Sequence, residues 1–180
     1  RDGRGVPEHL ARTFAGREIF GIGETVRKFV DVFRKGRPWF EAAQASAGNG
    51  AVMRIAPVVL PYLRHPSPAL WTDAVLAGAV THNDASSIAA CVAMVGLIWG
   101  ARGMPSPPSP EWWIDEYCAR ARLLEGNTAL RSRCPHFQFH GPVWRLVDLE
   151  VRRALEEDLD VLEACERWDS GAYLPETMPA

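Results

Sequence analysis

The fourteen residues from Ser86 to Trp99 (SSIAACVAMVGLIW) carry no charge and put small or apolar side chains on every face of a helix. A helix that is apolar all round has to be enclosed by other elements, so this segment belongs at the centre of a helical body. Its Ala, Gly, Ser and Cys let neighbouring backbones come close. It is too short to cross a bilayer, and Asp84, Ser86 and Ser87 at its start argue against a membrane span. The flanking sequence supplies the enclosure. Helices are expected over Val6 to Phe14 and over Glu24 to Phe33, the latter with Val26, Phe29, Val30 and Phe33 on one face and Gly36 as its stop. Another is expected over Pro38 to Ala47, with Trp39 and Phe40 as core anchors. Arg54 to Leu63 is ambiguous, because Pro57 and Pro61 forbid a regular interior unless Pro57 opens a helical turn.

Ser67 is the expected cap of a helix running to Val80, and Gly103 to Pro110 reads as a loop. Trp112 to Leu124 is amphipathic, with Trp113, Ile114, Tyr117 and Cys118 facing in. Arg131 to Gly141 is irregular. Pro142 opens the longest expected helix, to about Arg167. No stretch alternates like a strand, and no solenoid repeat is present. The expectation is an all-α fold, with residues 1–180 forming a single helical domain that is the central part of a larger one.

A formal charge of −2 argues against non-specific nucleic-acid binding, which needs a basic face. Cys91, Cys118, Cys134 and Cys165 are scattered and suit reduced core thiols. With no leader pattern at the start of the sequence, a cytoplasmic location and no membrane partner are expected. Cys134, His136 and His140 lack the second cysteine pair of a zinc site. Glu156, Glu157, Asp158 and Asp160 read as a solvated face. No nucleophile elbow, Walker loop or convincing acid/base carboxylate pair is found.

Two polar interruptions remain. Gly48-Asn49-Gly50 is either a helix-connecting turn or a loop presenting backbone N–H groups to a phosphate. Arg54, beside Met53 in an apolar stretch, needs a carboxylate, carbonyl or phosphate partner. Thr81-His82-Asn83-Asp84 separates two apolar helices. His82 is either a hydrogen-bonded interior histidine or part of a pocket floor with Thr81, while Asp84 caps the next helix. The candidate binding residues are Gly48, Asn49, Gly50, Met53, Arg54, Thr81, His82 and Asp84.

Gly48 to Pro57 together with Thr81-His82-Asn83-Asp84 resembles the paired internal motifs of the ADP-ribosylglycohydrolases, the family containing dinitrogenase-reductase-activating glycohydrolase. Gly21-Ile22-Gly23-Glu24-Thr25 resembles a further motif, making Gly21, Gly23 and Thr25 a second candidate loop. Ser170-Gly171-Ala172-Tyr173 with Glu176-Thr177 resembles a fourth. The resemblance implies an all-helical bundle, a two-metal centre using magnesium or manganese, and hydrolysis of a glycosidic bond to ADP-ribose. The family's Thr-Asp-Asp and Asp-x-Asp-Thr metal loops have no counterpart in this sequence. No metal ligand or catalytic residue is therefore assigned, and the bundle is expected to lack its N- and C-terminal metal-binding segments, which a separate chain of the same protein could supply. The expected function is removal of ADP-ribose from a modified protein or small molecule, with this polypeptide alone inactive. The alternatives are a non-catalytic ADP-ribose or nucleotide-binding domain, and a helical domain serving assembly.

Overall fold

A computed structural model describes residues 8–17 and 21–180; Val6 and Pro7, at the expected start of the first helix, lie outside the described residues. The order is α1 (Glu8–Phe14), α2 (Glu24–Arg34), α3 (Trp39–Ala42), 3₁₀ segments over Val52–Arg54 and Ala56–Tyr62, α4 (Ala69–Ala79), α5 (Ala85–Ala101) and α6 (Pro110–Glu125). Strands β1 (Leu130–Arg131) and β2 (His140–Gly141) follow, then α7 (Val143–Leu146), a π turn over Val147–Val151, α8 (Arg152–Glu156), α9 (Val161–Trp168) and α10 (Leu174–Thr177). The fold is helical, with one two-stranded antiparallel ladder among the described residues.

Helix α5 lies at the centre, with Ala89, Ala90, Cys91, Ala93 and Val95 wholly buried. Small residues set how closely its neighbours approach. A Cβ at Gly78 of α4 would lie 3.2 Å from the sulfur of Cys91, and one at Gly96 would collide with Arg120 of α6. Arg120 lies across α5 there, its Nε donating to Glu116 at 2.6 Å and its guanidinium 4.8 Å from the Trp71 ring centroid. The carboxylate of Asp84 accepts from the Ser87 N–H at 3.1 Å and caps α5 as its sequence position suggests. Asp84→Ala is expected to cost about 1 kcal/mol, measured as a lower urea midpoint with unchanged slope; an unmoved midpoint would refute the cap's contribution.

Glu125 solves a burial problem. It is buried at the end of α6, where its carboxylate accepts from the N–H groups of Val143 and Trp144 (2.7 and 3.0 Å) and from the Thr128 hydroxyl at 2.9 Å. Three donors offset its desolvation, and the charge faces the positive end of α7.

Several local expectations are corrected. Trp39 and Phe40 are not core anchors: they are 41% and 59% exposed, and α2, which packs mainly on α3, buries none of its residues. The expected helix to Ala47 ends at Ala42, because Gln44 pairs its backbone with Thr81 and Asn83 instead. Trp113 faces out, and Trp112 packs against the core in its place. Within the irregular 131–141 stretch, Arg131 pairs with His140. The expected long C-terminal helix breaks at Asp158, whose φ is +53°, and Pro142 stands just ahead of α7. The break has a local cause. Asp160 accepts from the N–H groups of Leu162 and Glu163, while Glu163 accepts from the Asp160 N–H, a capping box that starts α9 afresh.

Candidate functional site

Three chain crossings bring distant segments to one place. The Gln44 N–H donates to the Thr81 carbonyl at 3.1 Å, and the Asn83 N–H returns to the Gln44 carbonyl at 2.8 Å, seating His82 against the glycine loop. That loop is held from the other side by the C-terminal segment. The Asn49 N–H donates to the Ala172 carbonyl at 2.9 Å, and the Leu174 N–H to the Ala47 carbonyl at 3.0 Å. The Asn49 carboxamide reaches Thr177 Oγ1 at 3.0 Å and the Gly171 carbonyl at 3.3 Å. At the start of α2, the Thr25 and Ser46 hydroxyls meet at 2.9 Å.

Between these segments lies a cleft of ≈ 960 Å³. Gly21, Gly23, Thr25, Gly48, Asn49, Gly50, Met53, Arg54 and His82 all line it, so most of the sequence candidates converge. Thr81 and Asp84 do not line it. Asp84 is a helix cap, and Thr81 acts through its hydroxyl on His82. A Cβ on Gly50 would lie 3.2 Å from His82 Cε1, so His82 would have to give way, whereas one on Gly48 would meet His82 Nε2 at an ordinary 3.5 Å.

The expectation of free N–H groups along this loop is corrected in part. The Asn49 N–H is taken by Ala172, and the Gly48 N–H points to the Ser46 hydroxyl at 3.3 Å. Gly50 alone keeps an N–H without a partner among the described residues. A peptide chain pairing along one side of the loop uses the donors that a phosphate would otherwise take.

Arg54 finds carbonyls rather than a carboxylate. Its Nη1 donates to Gly50 O at 3.0 Å, and its Nη2 to Ala77 O at 2.9 Å and Thr81 Oγ1 at 2.6 Å. Its salt-bridge partners number none among the described residues, and burial of the guanidinium lowers its pKa. The Thr81 oxygen also lies 2.8 Å from His82 Nδ1. One tautomer satisfies the Thr81 hydroxyl. Its oxygen has two lone pairs and could accept from both Arg54 Nη2 and His82 Nδ1, but its own proton would then have no acceptor among the described residues. Donation from the hydroxyl to Nδ1 gives that proton a partner and leaves the ring proton on Nε2, beside Gly48 and Gly50. His82 is 2% exposed. Burial first and the Arg54 charge second lower its pKa to about 4, against the opposing pull of Asp84. The ring is neutral at physiological pH.

Eight lining residues were absent from the sequence candidates, among them the polar Glu24, Ser46, Arg133 and Tyr173. Tyr173 sits inside a motif that sequence reading singled out, and Ser46 is two residues from the glycine loop. Arg133 had no local signal. It comes from the irregular segment between β1 and β2 and reaches the cleft only through the fold.

The cleft's carboxylate is Glu24, exposed at its rim and paired with Lys28 at 2.6 Å, which lowers its pKa. Among the described residues no group of three or more His, Cys, Asp or Glu side chains is arranged to hold a metal ion. No described helix is long and apolar enough to cross a membrane. A family model described as ADP-ribosylglycohydrolase matches residues 2–180. Comparison with curated proteins and with solved structures gives no match.

Proposed function

We propose, for a chain that belongs to the ADP-ribosylglycohydrolase family, that the cleft binds the ADP-ribosyl group of a modified protein or small molecule, as part of a hydrolase that cleaves its glycosidic bond. The observation that supports this most is the convergence on one cleft of four sequence segments spread from Gly21 to Tyr173. In this reading the Gly50 N–H and the unshared N–H groups of Arg54 take oxygens of the pyrophosphate. His82, with its proton on Nε2, donates to a ribose hydroxyl. A neutral donor suits a hydroxyl, which both accepts and donates, better than a second cation would.

The family's chemistry implies magnesium or manganese, which would stabilise an oxocarbenium-like transition state and activate water. The donor set of the described residues does not fit such a centre. Two divalent ions need several hard oxygen ligands, whereas the cleft offers only Glu24, already paired with Lys28. No catalytic step is therefore derived through a metal here. The same observation favours a second reading, in which this polypeptide binds ADP-ribose or a nucleotide without turnover.

The test is calorimetric titration of the 180-residue chain with ADP-ribose, beside a hydrolysis assay on an ADP-ribosylated peptide with excess magnesium or manganese. Saturable binding at one site without release of ADP-ribose is the expected result. Absence of binding would sink the assignment of the cleft. Turnover above that of His82→Ala would show that this chain carries its own catalytic ligands.

A further inference from the structure

Arg133 is built into the cleft wall in an unusual way for an exposed arginine. Its Nε donates to Glu176 Oε1 and its Nη2 to Oε2, both at 2.8 Å, while its guanidinium carbon lies 4.3 Å from the Tyr173 ring centroid. The two contacts fix different things. The bidentate carboxylate sets the orientation of the guanidinium within its own plane, and the aromatic ring sets the plane itself.

The partners are unequal in exposure. The Glu176 side chain is 10% exposed and that of Arg133 is 60% exposed. Glu176 is further held by the Tyr173 N–H at 3.3 Å, and Gly171 leaves room that any Cβ would take from its carboxylate. A buried, anchored acid thus holds an exposed, cleft-lining cation in one pose. The Nε/Nη2 edge of Arg133 is occupied, and its Nη1 has no partner among the described residues. Side-chain freedom that a flexible arginine would lose on binding a ligand is already spent.

We propose that Arg133 is an anion-recognition group of the cleft, its Nη1 edge taking oxygens of a phosphate or carboxylate on the bound ligand. The proposal deepens the reading of the cleft as an ADP-ribose site and rests on it for the ligand's identity. The anion has two sources: the pyrophosphate of the nucleotide, or an acidic side chain of the modified target.

The primary test uses inorganic pyrophosphate on isotope-labelled wild-type protein, following the Arg133 Nε–H resonance by NMR, assigned by its loss in Arg133→Lys. Pyrophosphate is expected to shift that resonance saturably. Calorimetry then separates the sources. A nucleotide phosphate predicts ADP-ribose affinity about tenfold weaker in Arg133→Ala, with partial recovery in Arg133→Lys and unchanged binding of adenosine. A target carboxylate predicts unchanged ADP-ribose affinity and about tenfold weaker binding of an ADP-ribosylated peptide flanked by acidic residues. A resonance that stays put through the titration, or equal measurable affinities of wild type and Arg133→Ala for both ligands, overturns the proposal. A wild-type protein that fails to bind ADP-ribose yet shows the pyrophosphate shift overturns the nucleotide reading and leaves the anion site standing.

Discussion

Stability is expected to fall by about 3 kcal/mol through His82 alone as pH drops from 6.5 to about 4. The sign follows from which state binds the proton. Unfolded, the imidazole has its ordinary pKa of 6.5; folded, it is lowered to about 4 by burial and by the Arg54 charge. Above 6.5 both states are neutral and the full contribution is present. Below 6.5 the unfolded chain takes up a proton that the folded one refuses, so stability declines until the folded ring also titrates. Protonation would put a second positive charge next to Arg54, at a nitrogen that now accepts from the Thr81 hydroxyl. Urea unfolding of wild type and His82→Gln at pH 7.5, 6 and 5 would isolate the effect, since carboxylates titrating over the same range contribute to both proteins. The wild-type curve should be steeper. Parallel pH dependences would show that His82 titrates normally in the folded state.

Arg54→Ala should weaken ADP-ribose binding by about tenfold to a hundredfold, as expected for loss of a charge-assisted contact together with the orientation of His82. Removing the guanidinium strips donors from Gly50 O, Ala77 O and Thr81 Oγ1 at once. The Thr81 hydroxyl is then free to turn away from His82 Nδ1, and the histidine loses the contact that keeps its proton on Nε2. Arg54→Lys should recover little, because one ammonium cannot span three acceptors in the geometry of a planar fork. The loss of stability should be smaller, about 1–2 kcal/mol, since the site lies partly open to water. Calorimetry with both variants, alongside their urea midpoints, tests the pair of effects. Full affinity in Arg54→Lys would mean that charge alone matters and that the Thr81–His82 alignment does not depend on the guanidinium.

The sequence by itself determined what is decided within a turn or two of chain. The uncharged, small and apolar Ser86–Trp99 pointed to a central helix, and Asp84 ahead of it stood where a cap belongs, which the structure shows it to be. Pro57 opens a 3₁₀ segment as its fixed φ allows. Gly48 and Gly50 marked the loop that approaches another group closely, and that group is His82. The capping box Asp160-x-x-Glu163 was equally local, but apolar spacing on either side concealed it. Tertiary structure decided the rest. Amphipathic spacing shows that α2 has an apolar face, yet only packing shows that this face is no more than half-buried, with Phe33, Trp39 and Phe40 exposed. The three glycine-loop donors looked free in sequence, yet those of Asn49 and Gly48 are spent on Ala172 and Ser46 and only that of Gly50 is left. Asn49 meets Gly171 and Thr177 more than a hundred residues away. Arg133 gains its place from Glu176 and Tyr173, some forty residues on. Backbone propensity and capping act over neighbouring residues and leave periodic traces. Hydrogen bonds that close long loops are chosen by the packed chain as a whole, so a guanidinium's partner cannot be read from the residues beside it.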